Sequence, residues 1–270
     1  MVVYGTLQML LDGKAAIVSG VGPGVGDAIA AVLARQGASV LLLARNREFL
    51  EATAAAIKDA GGRAVPLPTD ISDPVQCTAA VAAAMREFGG VDILVNNAVR
   101  YAPYDAMADS KLADWRAVFD VNLFGTVAMC QATVPAMRAR GGGSIVIINS
   151  QVVRTYYAQQ KPQGPYAASK GALLATAMHM AGELGPEGIR VNSVVPGWIW
   201  GPRVKARFDR EAAARGVDPK VLYDEIAVRT SLRLLPLPED IANGVLFFAS
   251  DLSRAVTGQS LDVNGGEYFH

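Results

Sequence analysis

Residues 14–26 read Lys-Ala-Ala-Ile-Val-Ser-Gly-Val-Gly-Pro-Gly-Val-Gly. The apolar run at 14–19 predicts a buried strand, and the glycines that follow predict a tight turn into a helix. Gly20, Gly24 and Gly26 are spaced as G-x-x-x-G-x-G rather than as the commoner G-x-G-x-x-G. Such a turn lets the backbone approach a pyrophosphate, and the N–H groups of the next helix point at that group. The stretch indicates a dinucleotide site, and a plain glycine turn between strand and helix is the alternative.

The rest of the chain repeats this alternation of strand and helix. Unbroken apolar strands, such as residues 39–44, are typical of parallel sheets that carry helices on both sides. The strands are expected at 14–19, 39–44, 64–67, 91–95, 144–148, 190–194 and 260–263, and the main helices at 28–36, 48–60, 75–88, 112–138, 166–184 and 238–249. This order predicts an α/β fold with a doubly wound, seven-stranded parallel sheet and helices on both faces.

The domain organisation follows from where this pattern breaks. We find no linker, repeat or low-complexity tract, so residues 1–270 are predicted to form one domain. The charged segment at about 201–236 interrupts the alternation and is expected to form one or two short helices over the sheet, as a substrate lid. The helix at 112–138 is expected to break, if anywhere, near Pro135.

Composition excludes several classes of protein. The chain has 25 basic and 25 acidic residues and no basic block, which argues against a nucleic-acid or anionic-membrane partner. Cys77 and Cys130 lie far apart and indicate neither a metal site nor a disulfide framework. The N-terminal residues do not resemble a signal peptide, and no apolar run approaches the ~20 residues of a membrane helix. We therefore expect a soluble, cytoplasmic protein.

The end of the second strand should select the cofactor. An acidic residue at this place binds the adenosine ribose of NAD, whereas an arginine accepts the 2′-phosphate of NADP. The strand ends Ala-Arg-Asn-Arg at 44–47, with no acid before Glu48. Arginine pairs well with phosphate, so NADP(H) is predicted, with Arg45 as the main contact and Arg47 as a possible one. NAD(H) is the second choice, in which case these arginines only solvate a loop.

A tyrosine and a lysine four residues apart are candidates for proton transfer. Tyr166 and Lys170 follow a proline that suits a helix start, so both side chains lie on one helical face. A nearby ammonium and the helix N-terminus are expected to lower the pKa of the tyrosine. Tyr157 and Lys161 have the same spacing, but a proline follows Lys161 and favours a loop there.

Several motifs in order resemble the short-chain dehydrogenase/reductase family, whose pattern matches residues 14–266. They are Ser19–Gly26 after the first strand, Asp70-Ile71 after the third, Asn96-Asn97-Ala98 after the fourth, Asn122, Ser150 after the fifth, Tyr166 with Lys170, Pro196-Gly197 after the sixth, and Gly258-Gln259 with Gly265-Gly266. The chain departs from the family at Val99, where glycine is usual, and in an enlarged loop at 151–164. It also lacks the common threonine after Pro196-Gly197 and has Asn264 where aspartate is frequent.

The resemblance implies a Rossmann-type fold and an NADP-dependent oxidoreductase that acts on a ketone or secondary alcohol. It implies that Tyr166 transfers the proton, Lys170 lowers the tyrosine pKa, Ser150 hydrogen-bonds the carbonyl oxygen, and Asn122 kinks its helix and holds a water. The expected catalytic residues are Asn122, Ser150, Tyr166 and Lys170. The expected cofactor contacts are Ser19, Gly20, Gly22, Gly24, Val25, Gly26, Arg45, Asp70, Ile71, Asn97, Ala98, Tyr166, Lys170, Pro196, Gly197 and Ile199.

Other functions stay open at this point. An NAD-linked alcohol dehydrogenase of the same family would differ mainly in its use of Arg45, and a non-catalytic nucleotide-binding scaffold would share the fold. A hydrolase that uses Ser150 with Lys170 lacks the G-x-S-x-G elbow. The small-molecule substrate is a carbonyl or alcohol, and Trp198, Trp200, Tyr156 and Tyr157 would suit an apolar or cyclic ketone. The family resemblance implies a homotetramer, with a dimer as second choice.

Overall fold

The computed structural model describes residues 9–154 and 162–269, which include one seven-stranded sheet. The strands are β1 Ala15–Ser19, β2 Ser39–Ala44, β3 Arg63–Pro68, β4 Ile93–Asn96, β5 Gly143–Ile148, β6 Ile189–Pro196 and β7 Ser260–Val263. Every neighbouring pair is parallel, and the order is β3-β2-β1-β4-β5-β6-β7. The predicted Rossmann-type doubly wound fold is confirmed.

Nine α-helices are described. They are α1 Val25–Arg35, α2 Arg47–Asp59, α3 Pro74–Phe88, α4 Leu112–Phe119, α5 Thr126–Ala139, α6 Gly164–Leu184, α7 Pro202–Arg215, α8 Pro219–Ala227 and α9 Pro238–Ala249. Local chemistry fixes several of the starts. The side chain of Asn46 accepts a hydrogen bond from Phe49 N at the start of α2, and that of Asp73 accepts one from Val75 N at the start of α3.

The core lies in two layers, one on each face of the sheet. Alternate residues of one strand point to opposite faces, so Ile17 packs in the layer of α3, α5 and α6, and Val18 in the layer of α1 and α9. Both side chains are fully buried, as are Leu41 and Leu42 of the next strand. The strands need apolar residues at every position for this reason, and this requirement makes them visible in the sequence.

The helical stretch from Leu112 to Ala139 contains a wide, π-helical turn at Asp120–Gly125. The prediction of a break near Pro135 is wrong, because Pro135 lies inside α5. The irregular turn instead coincides with Asn122, whose side chain bonds to backbone outside the helix. A side chain that inserts into or leaves the regular ladder is a common cause of such a turn.

The same stretch corrects a second expectation. With 28 residues and a mean hydropathy of 1.3 in its most apolar window, it is long and apolar enough to cross a membrane by length and composition alone. Within it, Met129, Cys130 and Met137 are buried against the sheet. Packing in this core accounts for its apolar character.

The segment after β6 forms α7 and α8, as the sequence predicted for 201–236. These two helices share a small core of their own, made by Phe208, Leu222 and Leu235. Trp200 packs against Phe208 and edge-on against Tyr223, with ring centroids 5.6 and 4.8 Å apart. The role of this segment as a lid, and the single domain, stay predictions.

Candidate active site

A cavity of about 1170 Å³ opens where strands β1 to β6 end. It lies at the point where the strand order reverses between β1 and β4, which is the usual ligand position in open α/β sheets. A single small ligand typically occupies about 300–1,000 Å³, so there is room for a dinucleotide and a second molecule. All the residues predicted for the site line this cavity except Ser19, Asn122 and the possible contact Arg47.

The glycine turn is shaped for close approach of another group. Gly20 and Gly24 have φ values of 79° and 108°, which favour glycine. A Cβ at Gly20 would lie 2.4 Å from the backbone of Ala98, and one at Gly26 would lie 2.3 Å from the Gly20 carbonyl. No side chain caps the N-terminus of α1, so its N–H groups can serve a phosphate. The turn therefore fits the pyrophosphate of a dinucleotide.

Ser19 does not line the cavity. It is the last residue of β1, its side chain is fully buried, and its hydroxyl has no hydrogen-bond partner among the described residues. Its predicted contact with the cofactor lacks support from this geometry.

The adenosine end of the cavity is formed by the turns after β2 and β3. Arg45 and Asp70 both line it. Hydrogen bonds from Ser72, together with the positive charge of Arg45, lower the pKa of Asp70, so this carboxylate is ionised. Arg47 lies outside the cavity and pairs with Glu51 at 3.6 Å on the surface of α2. Of the two arginines, only Arg45 lines the cavity.

The catalytic candidates lie close together at the N-terminal end of α6. Tyr166 and Lys170 lie in its first two turns, and both are buried. The Ser150 side chain lies close enough to Tyr166 to lower the pKa of its phenol. Lys170 Nζ lies 5.9 Å from the centre of the Tyr166 ring and donates to the Ile148 carbonyl oxygen at 2.7 Å. Ser150, which follows β5, and the two α6 residues Tyr166 and Lys170 are thus neighbours at one end of the cavity.

The pKa of Tyr166 corrects the expectation drawn from the sequence. Burial raises it well above its ordinary value, and the neighbouring Tyr101 acts in the same direction. Burial also lowers the pKa of Lys170 to about 8. In this arrangement, desolvation outweighs the influence of Ser150 and of the positive charge of Arg203, which both act to lower the tyrosine pKa. Tyr166 is accordingly a protonated phenol at neutral pH.

Asn122 acts on the loop after β4 rather than on the cavity wall. Its side chain is fully buried, accepts a hydrogen bond from Arg100 N at 2.7 Å, and donates to Arg100 O and Ser169 Oγ at 3.1 and 2.9 Å. Ser169 lies between Tyr166 and Lys170 in sequence, and its hydroxyl donates to the Tyr166 carbonyl at 2.8 Å. Asn122 therefore connects the π-helical turn to the loop and to α6. Its predicted role in holding a water stays a prediction.

Two side chains that the sequence argument missed stand beside Tyr166. The ring of Tyr101 packs against the Tyr166 ring with centroids 4.7 Å apart, and Tyr101 acts to raise the pKa of Tyr166. The guanidinium of Arg203 lies 3.7 Å above the centre of the Tyr101 ring. Their positions depend on a tertiary contact between the loop after β4 and α7, and no local sequence motif predicts that contact.

The two tryptophans considered for the substrate pocket both pack against the small core of α7 and α8. Trp198 also lines the cavity, whereas Trp200 does not. Tyr156, Tyr157 and Lys161 lie outside the described residues. Within the described ranges, no group of three or more His, Cys, Asp or Glu side chains could hold a metal ion.

Comparisons with known proteins agree with this arrangement. A family model described as enoyl-(acyl carrier protein) reductase matches residues 20–267. The short-chain reductase protein NovJ of Streptomyces niveus is 37% identical over 253 residues, which cover 93% of this chain and 92% of that protein.

Two solved structures are similar over nearly the whole chain. L-sorbose reductase from Gluconobacter frateurii, in complex with NADPH and L-sorbose, has a TM-score of 0.90 at 29% identity and covers 97% of this chain and 98% of its own. A 7α-hydroxysteroid dehydrogenase in complex with NADH and 7-oxo glycochenodeoxycholic acid has a TM-score of 0.83 at 33% identity, with 96% of each chain covered.

Proposed function

The chain belongs to the short-chain dehydrogenase/reductase family of oxidoreductases, and we propose that it transfers a hydride between NADP(H) and a ketone or secondary alcohol, with Tyr166 as general acid and base. The observation that carries the proposal is the meeting of Ser150 and Tyr166 beside buried Lys170, at one end of a cavity whose other parts fit a dinucleotide. The cofactor supplies the hydride to a carbonyl carbon when bound, and takes it up in the reverse direction.

The residues of the chain divide the remaining work. The Tyr166 hydroxyl gives its proton to the carbonyl oxygen as charge develops there, and Ser150 donates a hydrogen bond to the same oxygen. Because burial keeps Tyr166 protonated, the reductive direction is the first to assay. Lys170, with a pKa of about 8, is poised to return a proton towards the tyrosine near neutral pH.

Substitution of Tyr166 tests the proton transfer. Tyr166→Phe removes the hydroxyl and keeps the ring that packs on Tyr101. We expect turnover to fall by about 10²–10⁴-fold, the range for general acid–base catalysis, while NADPH still binds. A variant with near-normal turnover of the same ketone would exclude Tyr166 as the proton donor.

We propose NADP(H) as the cofactor because Arg45 lines the adenosine end of the cavity and no carboxylate takes its place. The related structures do not decide the question, since one was solved with NADPH and another with NADH. Fluorescence titrations with NADPH and with NADH address it directly. NADPH should bind more tightly, and Arg45→Gln should weaken NADPH binding by about tenfold or more, the value of a charge-assisted hydrogen bond.

Arg47→Gln is the matched control, because it removes an arginine two residues away that lies outside the cavity. Its effect on NADPH affinity should be much smaller than that of Arg45→Gln. Preference for NADH would keep the oxidoreductase and make it an NAD-linked dehydrogenase. Binding of neither cofactor would favour the non-catalytic scaffold.

We also propose a cytoplasmic homotetramer, with a dimer as second choice, and a substrate lid at about 201–236. An apolar groove of about 590 Å³ runs between α5 and α6 and is lined by Val134, Pro135, Ala175 and Met180, among others. Met178 of α6 is more than half exposed. Such a surface favours burial against a second copy. Light scattering of the purified protein would report the subunit number, and a monomer would contradict the proposal.

A further inference from the structure

Arg203 occupies a defined position next to the reaction centre. It lies in the first turn of α7, and its guanidinium stacks on the face of Tyr101 at 3.7 Å. Tyr101 packs in turn against Tyr166. The Tyr101 ring therefore separates the positive charge of Arg203 from the Tyr166 phenol. At this position the charge favours the ionised form of Tyr166. A stacked guanidinium keeps its N–H donors at the edge of the plane, available to a ligand.

The donors of Arg203 have no partner among the described residues. They make no hydrogen bond and no ion pair with any of them. Arg207 and Arg210 of the same helix also line the cavity, and Glu211, the carboxylate beside them, pairs with Arg207 at 3.7 Å. The other carboxylate of the cavity wall, Asp70, hydrogen-bonds Ser72 at the adenosine end. The part of the cavity under α7 thus carries excess positive charge.

We propose that the substrate is an anionic carbonyl or alcohol compound, whose carboxylate binds Arg203 while its reacting oxygen lies at Tyr166. This inference rests on the proposed oxidoreductase function and specifies its substrate class. The flat Tyr101 ring lies between Arg203 and Tyr166, and Trp198 also lines the cavity, so an apolar or aromatic body is expected to separate the carbonyl from the carboxylate. Arginine matches a carboxylate through its planar fork.

The phosphates of the cofactor are the competing anion. The start of α7 is close to the glycine turn, since Pro202 Cδ lies 3.5 Å from the position of a Cβ on Gly24. The guanidinium of Arg203, however, is on Tyr101, on the side of the catalytic pair. We therefore assign it to the substrate, and the experiment below separates the two possibilities by measuring cofactor affinity.

The test compares 4-acetylbenzoate with its methyl ester, which differ by one negative charge at the same distance from the ketone. The ratio of kcat/KM for the acid to that for the ester is measured with NADPH in wild type, Arg203→Gln and Arg203→Lys. We expect wild type to prefer the acid, and Arg203→Gln to lower the ratio by about tenfold or more, mainly through the KM of the acid. Arg203→Lys should lower it less, because it keeps the charge and loses the fork.

Arg254→Gln is the matched control, since Arg254 is exposed and lies outside the cavity. Its ratio should equal that of wild type. An unchanged ratio in Arg203→Gln, or a loss of NADPH affinity in place of a changed ratio, would overturn the proposal and leave the oxidoreductase function intact.

Binding provides a readout that does not depend on turnover. Calorimetric titration of the wild-type protein with 4-acetylbenzoate and with its ester should show tighter binding of the acid, and Arg203→Gln should remove the difference. If neither ketone is reduced by wild type or by Arg203→Gln, the titration still decides the anion site, and the failure belongs to the proposed reaction. Equal binding of acid and ester by wild type would refute the anion site.

Discussion

Replacement of Asn122 by alanine would show how far the loop after β4 depends on one side chain. The change removes three hydrogen bonds, one from Arg100 N, one to Arg100 O and one to Ser169 Oγ. Each buried hydrogen bond contributes about 1 kcal/mol net, so the free energy of unfolding should fall by about 3 kcal/mol. For a chain of this size that corresponds to a decrease in Tm of about 6–12 °C.

The assay is thermal unfolding combined with amide hydrogen exchange. The Arg100 N–H should exchange faster in Asn122→Ala, because its acceptor is gone, while amides in the sheet keep their order of protection. Thr126→Val is the control, since it removes only the hydroxyl that donates to the Asn122 carbonyl at 2.9 Å. It should lower the free energy of unfolding by about 1 kcal/mol.

The proposed stabilisation of the loop by Asn122 would be refuted if the Tm of Asn122→Ala and the exchange rate of its Arg100 N–H matched those of wild type. Loss of turnover in such a protein would place the role of Asn122 in the chemistry alone. If Asn122 does stabilise this loop, the KM of Asn122→Ala should rise as well, because Tyr101 directly follows Arg100 in the loop.

Three further predictions concern the glycine turn, Lys170 and the side-chain carboxylate of Glu267. Gly20→Ala should lower the free energy of unfolding by at least about 2 kcal/mol in urea and abolish NADPH binding, because its Cβ would lie 2.4 Å from a neighbouring backbone at a positive φ; Gly22→Ala, with nothing within 4 Å, should fold normally. Lys170 has a pKa of about 8 when folded against 10.5, so the unfolded chain binds the extra proton and wild-type stability should rise between these pH values. Relative to Lys170→Met, the free energy of unfolding of wild type should increase by about 3 kcal/mol between pH 7.5 and 10.5, as measured by urea titration. A difference in unfolding free energy between the two proteins that stays constant over this range would contradict the prediction. Glu267→Ala removes a buried carboxylate that binds Gln151 and Arg229, and should cost about 2 kcal/mol in thermal unfolding and lower kcat, whereas an unchanged kcat would show that Gln151 does not position its neighbour Ser150.

The parts of the fold that were predictable from sequence are those set by local chemistry. A strand buried on both faces needs apolar residues at every position, so β1 and β2 are visible in the sequence. The glycine turn and the spacing of Tyr166 and Lys170 are also local, and the structure brings both to one cavity.

Properties that depend on tertiary contacts were not predictable in the same way. The pKa of Tyr166 is raised because neighbours from other elements bury it, and a four-residue spacing carries no information on that burial. The irregular turn lies at Asn122, where the family resemblance implied a kink, and not at Pro135, where the residue pattern placed one; its cause is tertiary, because the backbone that Asn122 binds comes from another part of the chain. The stacking of Arg203 on Tyr101 likewise joins two segments about a hundred residues apart, and neither belongs to a motif.

The wide turn at Asp120–Gly125 has a consequence for engineering chain length. Each residue of an α-helix advances the chain by about 100°, and a π-helical turn holds an extra one. Because the wide turn already accommodates the extra residue, deletion of one residue there would restore a regular helix and leave α5 in nearly the same orientation, with Met129 and Met137 still against the sheet. The same deletion in a regular turn of α5 would rotate the residues beyond it by about 100°. Libraries that vary length should therefore place most insertions and deletions in surface connections, and a single deletion within 120–125 would keep the packing of α5 but displace Asn122 from the loop that it binds.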